Sequence, residues 1–175
     1  MRTSVIGVAF LCAAMFAGAP AQAEVYVGAG ISNSSYSYED LDNSSGNKIY
    51  GGYRMPNGVF FEAARVDLGD TVSKLAPLGF QASGIAGYVG YASGSGMGPD
   101  GFVKIGFYSF DTDLLVNGST VDTQSGSGLA WGFGLLVALN ETFTIRMELD
   151  GYVGVKDFAD NDSVYGGSLS LEARF

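Results

Sequence analysis

Read in twos, the chain from residue 24 onward divides into eight short runs in which apolar residues alternate with small or polar ones. That is the period of a β-strand, not of a helix. The last run, 163–175, is the plainest: Phe175, Ala173, Leu171, Leu169, Gly167 and Tyr165 share one face, and Arg174, Glu172, Ser170, Ser168, Gly166 and Val164 the other. A face with aromatics at both ends, backed by one carrying Glu and Arg, is the reverse of what a single packed soluble core needs. It predicts a strand that turns its polar side inward.

The other seven runs repeat the pattern. EVYVGAGIS (24–32) sets Val25, Val27, Ala29 and Ile31 against Tyr26, Gly28 and Gly30, and a polar segment, 33–46, follows. KIYGGYR (48–54) opposes Ile49, Gly51 and Tyr53 to Lys48, Tyr50, Gly52 and Arg54 and stops at Met55-Pro56-Asn57-Gly58, a tight-turn sequence. VFFEAARV (59–66) alternates Phe61 and Ala63 with Phe60, Glu62 and Ala64. Its Arg65 falls on the apolar face near a loop end, from where it can snorkel to a charged membrane surface. SGIAGYVGYA (83–92) and FVKIGFYSF (102–110) follow, joined by a Gly- and Ser-rich link, and a polar loop is expected over 111–126. The sixth run, 129–139, is the most apolar, with Leu129, Trp131, Phe133 and Leu135 on one face; the seventh, 143–155, alternates Ile145, Met147 and Leu149 with Arg146, Glu148 and Asp150.

Eight runs of roughly ten residues suit strands crossing a bilayer at a tilt. The connections after the odd-numbered runs are the longer, more polar ones. Short turns on one side and long loops on the other predict an all-β, eight-stranded antiparallel up-and-down transmembrane β-barrel with both termini periplasmic. The sheet must close, because an open edge in lipid leaves backbone groups without partners, and eight strands close within a monomer. An eight-stranded lumen is just wide enough for side chains, so inward glycines make room for Tyr26, Tyr50, Tyr88, Phe110 and Tyr152. A soluble lipocalin-like barrel is the alternative, and it differs only in parity: the Leu, Trp and Phe face of the sixth run would point inward and Arg146 and Glu148 outward.

Composition narrows the function. Residues 1–23 have the layout of a secretory signal peptide, with an apolar run and an Ala21-Gln22-Ala23 cleavage site, leaving 24–175 as the barrel domain. The run is too short to read as a membrane-spanning helix. The single cysteine, Cys12, lies in that leader and is preceded by Phe10 and Leu11, unlike a lipoprotein site. With no thiol after residue 23 and no histidine anywhere, thiolate metal sites and imidazole catalysis are excluded; no catalytic residue, metal ligand or cofactor site is expected. Loss of Arg2 takes the net charge from −9 to −10, which makes nucleic acid a poor partner. The acids in the expected loops, Glu39, Asp40, Asp42, Asp70, Asp113, Asp122, Asp157, Asp160 and Asp162, read as solvated groups, with divalent cations bridging them to a charged surface as the lesser alternative.

EVYVGAGIS, GGYRMPNGVFFEAARVDLG, WGFGLLVALNETFTIRMELD and the ending LSLEARF, in that order and spacing, resemble the OmpA-like outer-membrane β-barrel family across residues 24–175. The resemblance implies an ionic network inside the barrel, at Glu62, Lys104, Arg146 and Glu148, all on the inward face; Glu172 and Arg174 join the lumen near the periplasmic end. This sequence has Leu136 where relatives often carry a Glu that pairs with the Lys, which counts against a two-state gate and favours a structural plug. The resemblance also implies that Leu169, Leu171, Ala173 and Phe175 form the signal read by the barrel-assembly machinery, and that outer-membrane lipid and lipopolysaccharide surround the protein. Larger relatives carry a peptidoglycan-binding domain after the barrel, and none is expected here. The expected function is non-enzymatic: envelope structure and surface-loop display or adhesion, with a narrow channel for water, ions or small solutes as the alternative. Lipid A-modifying barrels of the known types use a His, which this chain lacks.

Overall fold

A computed structural model describes residues 23–36, 44–72, 78–94, 99–116, 119–155 and 162–175. Of the expected leader, 1–23, residues 1–22 lie outside the described residues, as do Glu39, Asp40, Asp42, Asp157 and Asp160. The eight strands are β1 (Glu24–Tyr36), β2 (Ser44–Arg54), β3 (Val59–Val72), β4 (Leu78–Ala92), β5 (Asp100–Val116), β6 (Ser119–Ala138), β7 (Phe143–Val155) and β8 (Asp162–Arg174). Each pairs antiparallel with its neighbour, and β8 returns to β1, so the barrel is closed. Val25 and Phe175 exchange both backbone hydrogen bonds at that seam.

The turns at one end follow from local chemistry. At 55–58 the Gly58 amide donates to the Met55 carbonyl over 2.9 Å, and Gly58 takes φ +87, a region glycine enters without Cβ strain. Asn57 Oδ1 accepts from the Val59 amide, and Asn140 Oδ1 accepts from the Thr142 and Phe143 amides, so each short turn satisfies the donors that the ladder leaves over.

The parity is inside-out. Ile31, Ile105, Phe107, Leu129, Phe133, Leu149 and Leu171 are exposed, whereas Lys48, Glu62, Lys104, Arg146, Glu148 and Glu172 are buried. This overturns the lipocalin-like alternative, which needs the sixth strand's Leu and Phe face inside.

Two expectations about strand ends are corrected. The polar segment 33–46 and the loop that the sequence predicts over 111–126 are partly strand: Asn33–Tyr36 extends β1, Ser44–Gly46 opens β2, and most of 111–126 pairs as the upper halves of β5 and β6. Asp113 and Asp122 accordingly sit on strands. Ser and Thr opposite Asp read as loop composition, yet Thr123 Oγ1 donates to Asp113 and Ser125 Oγ to Asp111, each over 2.6 Å, so these pairs are cross-strand contacts of a sheet. The asymmetry between the two ends therefore lies in strands that continue beyond the apolar belt. β3 likewise runs on through a bulge between Asp67 and Asp70, where Gly69 has φ +77 and accepts no Cβ without meeting the Ser45 carbonyl.

Lumen packing obeys one local rule. Tyr26 faces Gly52, Tyr50 faces Gly28, Phe60 faces Gly90, Phe102 faces Gly134, Tyr108 faces Gly128 and Phe110 faces Gly84, each as a direct cross-strand partner. In every pair a Cβ on the glycine would lie under 3.0 Å from the ring opposite. Rings thus lie across neighbouring backbone, which lets a narrow barrel fill without voids.

Candidate functional site

The lumen is divided into layers by which inward residue each strand presents at a given height. Its centre is charged. Glu62 on β3 accepts from Lys104 Nζ over 2.9 Å and from both terminal nitrogens of Arg146, at 2.6 and 3.3 Å. Arg146 Nε also donates to Glu148 Oε2 over 2.9 Å, so one guanidinium joins β3 to β7 across the interior. Lys104 contacts Glu148 as well and lies 3.3 Å from Asp150. The Tyr26 hydroxyl donates to Glu62 over 3.1 Å.

Lys48 on β2 completes the layer, 2.8 Å from Asp150 and 3.1 Å from Glu148. Arg146 reaches Glu172 at 3.6 Å, and this links the layer to the periplasmic mouth. There Arg174 lies 2.9 Å from Glu24 and 3.4 Å from Glu172, and Arg54 lies 3.6 Å from Glu172. The expected residues Glu62, Lys104, Arg146, Glu148, Glu172 and Arg174 therefore fall in one connected set of ion pairs.

Four members came from outside that expectation: Lys48, Asp150, Arg54 and Glu24. Lys48, Arg54 and Asp150 already stood on the inward side of the alternation, so parity was the available signal. What parity lacks is which strand faces which across the lumen, because β2 and β7 are not neighbours in the sheet. The full set balances five carboxylates against five cations. Balance is what burial demands, since an unpaired ion in the interior costs several kcal/mol. The set thus adds nothing to the net negative charge of the chain.

Aromatic rings bound the charged layer. Lys104 Nζ sits 3.7 Å from the Tyr88 ring centroid, and Arg146 Cζ lies 4.5 Å from that of Tyr50 and 4.3 Å from that of Phe102. On the extracellular side, Tyr108, Phe110 and Tyr152 pack with centroids 4.7 to 5.5 Å apart, beside buried Val66, Ala82 and Val164. Leu136, the departure noted in the sequence, is 2% exposed and stands opposite Arg146 in the ladder, so it offers that cation no carboxylate.

One wall differs. The hydroxyls of Ser34, Ser168, Ser170 and Thr144, on β1, β8 and β7, are buried without a protein partner. No group of three or more ligating side chains arranged for a metal ion occurs among the described residues. The proposed assembly-signal residues lie on β8 and just past it: Leu169, Leu171 and Phe175 are exposed on the outer face, and Ala173 is half-buried beside them.

A closed eight-stranded barrel with an apolar exterior and a charged interior is the architecture of outer-membrane barrels. The model of the outer membrane protein beta-barrel domain matches residues 4–175. The chain belongs to that family. It is an outer-membrane protein, held there by its strands.

Among solved structures, it is similar to Ail, the attachment invasion locus protein of Yersinia pestis, crystallised with the heparin analogue sucrose octasulfate: TM-score 0.63, 15% identity, 88% of this chain and 99% of that one. Neisserial surface protein A aligns with TM-score 0.62 and 17% identity over 88% of this chain and 96% of that one. OprG from Pseudomonas aeruginosa gives 0.62 and 14% over 90% and 98%. Identities this low speak for the fold. No curated protein matches the chain.

Proposed function

We propose that this protein is a non-enzymatic structural component of the outer membrane, with a plugged lumen, that contributes to envelope integrity and displays its extracellular strand ends for adhesion. The observation that carries the reading is the charged layer joined to rings on either side: Glu62, Lys104, Arg146, Glu148, Lys48 and Asp150 close the cross-section with mutual ion pairs, and aromatic side chains fill the space beyond. Opening a path would separate buried ions, at a cost of several kcal/mol. The absence of histidine supports a non-catalytic role. The similarity to Ail, an attachment invasion locus protein, supports the adhesive half.

A narrow water path is the second reading. It is favoured by the partnerless hydroxyls on the β1, β8 and β7 wall, because buried polar groups of this kind are satisfied by ordered water. We take Leu169, Leu171, Ala173 and Phe175 as the signal to the barrel-assembly machinery, and the protein as a monomer within lipid and lipopolysaccharide.

Planar-bilayer recording on refolded protein tests the plug. The expected trace stays at background; steady ion conductance that disappears in Glu62→Ala would replace the plug with a pore. Osmotic swelling of proteoliposomes tests water separately, and cell-surface binding by expressing cells, compared with cells lacking the protein, tests adhesion.

A further inference from the structure

The partnerless hydroxyls of the lumen are evenly placed. Ser168 and Ser170 are successive inward residues of β8, Ser34 is the cross-strand partner of Gly166, and Thr144 is that of Glu172. Each of four consecutive inward levels of β8, at 166, 168, 170 and 172, therefore carries one buried hydroxyl that makes no hydrogen bond among the described residues. Ser34 and Thr144, at the two ends of this ladder, are 0% exposed. Inward levels on a strand repeat every two residues, about 6.6 Å. At O–H···O lengths of about 2.8 Å, one or two waters bridge each step.

The same wall keeps room for them. A Cβ on Gly28, Gly52, Gly84, Gly90 or Gly134 would lie under 3.0 Å from an aromatic ring, so the space at those glycines is taken. Gly166 differs, because a Cβ there meets only the Asn33 carbonyl and Ser34 Oγ, both at 3.6 Å. At Gly30 the space is held by a hydroxyl: a Cβ would come 2.2 Å from Ser170 Oγ.

Charge follows the ladder. Asp150 stands opposite Gly166, Glu148 opposite Ser168, Arg146 opposite Ser170 and Glu172 opposite Thr144. Lys48 reaches the upper two carboxylates, and Glu172 Oε2 is buried without a hydrogen bond, 3.6 Å from Arg146, so it keeps lone pairs for water. Fixed ions of both signs, held by their own partners, oppose the passage of another ion. An excess proton needs only a continuous chain of groups that both accept and donate, and hydroxyls and waters are such groups.

We propose that the lumen is closed to ions yet conducts protons, along a file of ordered water held by Thr144, Ser170, Ser168 and Ser34. This rests on the water reading of that wall and names what the file carries. At each step a hydroxyl oxygen accepts a proton from the water on one side and releases its own hydrogen to the water on the other. Hydroxyls and waters are regenerated with their hydrogens shifted one place, and no bond to carbon changes. The guanidinium beside Ser170 makes that level the barrier, and carboxylates stabilise the charge above and below it. At neutral pH free protons are so few that the file leaves a bilayer bathed in salt at background current.

The test uses the refolded protein in liposomes loaded with a pH-sensitive dye, with potassium and valinomycin present to hold the voltage at zero. After an external acid step, internal pH is expected to fall faster than in protein-free vesicles, with chloride retained. Thr144→Val keeps the side-chain shape without the hydroxyl and should slow proton entry about tenfold, the size of one hydrogen bond lost from the path, whereas Thr144→Ser should preserve it. Gly166→Val fills the open level and should slow entry likewise. Its nearest contacts at 3.6 Å are ordinary, so folding is expected to persist, and a heat-modifiable gel band checks both variants. Osmotic swelling of the same vesicles separates the two readings: swelling above background without proton entry overturns the proton file and leaves the water path, and background values for both overturn the two together. Proton entry that is undiminished in both folded valine variants, or that comes with chloride leakage, would also overturn the proposal.

Discussion

Arg146 holds both carboxylate oxygens of Glu62, Nη1 to Oε2 at 2.6 Å and Nη2 to Oε1 at 3.3 Å, across the interior of a barrel whose strands β3 and β7 are not neighbours. A planar guanidinium matches a carboxylate in this two-point manner, and lysine would not reproduce it. The contact ties opposite walls together. Glu62→Gln should therefore destabilise the folded barrel by about 3–5 kcal/mol, because Arg146 and Lys104 keep their charge and lose one of the two carboxylates they share, Glu148 being the other. Urea unfolding in detergent or lipid, followed by tryptophan fluorescence, measures this. A change under 1 kcal/mol would mean that water screens the site.

Lys48 and Asp150 provide the complementary case. Each single truncation, Lys48→Met or Asp150→Leu, leaves the buried set one charge out of balance, whereas the double variant removes both charges and restores balance. The double variant is expected to be closer in stability to the parent than either single one. A double-mutant cycle by the same unfolding measurement reads the coupling, and strictly additive losses would show that these two residues act independently.

Packing makes a separate prediction. A Cβ at Gly28 would lie 2.2 Å from Tyr50 Cζ, with only atoms of that ring among its closest neighbours, while a Cβ at Gly87 meets nothing within 4 Å. Gly28→Ala should cost about 1–3 kcal/mol through overpacking, and Gly87→Ala should be close to neutral. Tyr50→Leu in the Gly28→Ala background is expected to recover part of the loss. If the two alanine variants unfold alike, the glycines serve the backbone and not the rings.

These residues also mark what the sequence could reveal. Parity was legible because a strand places successive side chains on opposite faces, so a charge at Arg146 or Lys48 and an apolar residue at Leu149 or Ile49 declare the inside and the outside at once. Strand ends were not, since Asp111, Asp113, Thr123 and Ser125 have loop composition and become sheet through hydrogen bonds between strands. Contacts across the lumen were hidden for a further reason. Which residues of β2 and β7 share a height depends on the register of every intervening pair, including the bulge between Asp67 and Asp70. Resemblance points to Glu62, Lys104, Arg146 and Glu148, whereas the pairing of Lys48 with Asp150 follows only from the three-dimensional register.

The terminal residue tests assembly apart from stability. Phe175 is 77% exposed on the outer face, and its backbone is held to Val25 by paired hydrogen bonds, the Phe175 amide donating over 2.9 Å. If its ring is only an interface anchor, deletion removes some apolar contact with lipid and lowers unfolding stability slightly, with insertion intact. If the ring is read by the assembly machinery, deletion stops insertion although every lumen contact remains available. We expect the second result: periplasmic accumulation of unfolded chain, loss of the heat-modifiable band in outer membranes, and rescue by a terminal Trp or Tyr. In vitro refolding into detergent separates the two causes, because a chain that refolds normally without Phe175 yet fails to insert in cells has lost a recognition element and kept its fold.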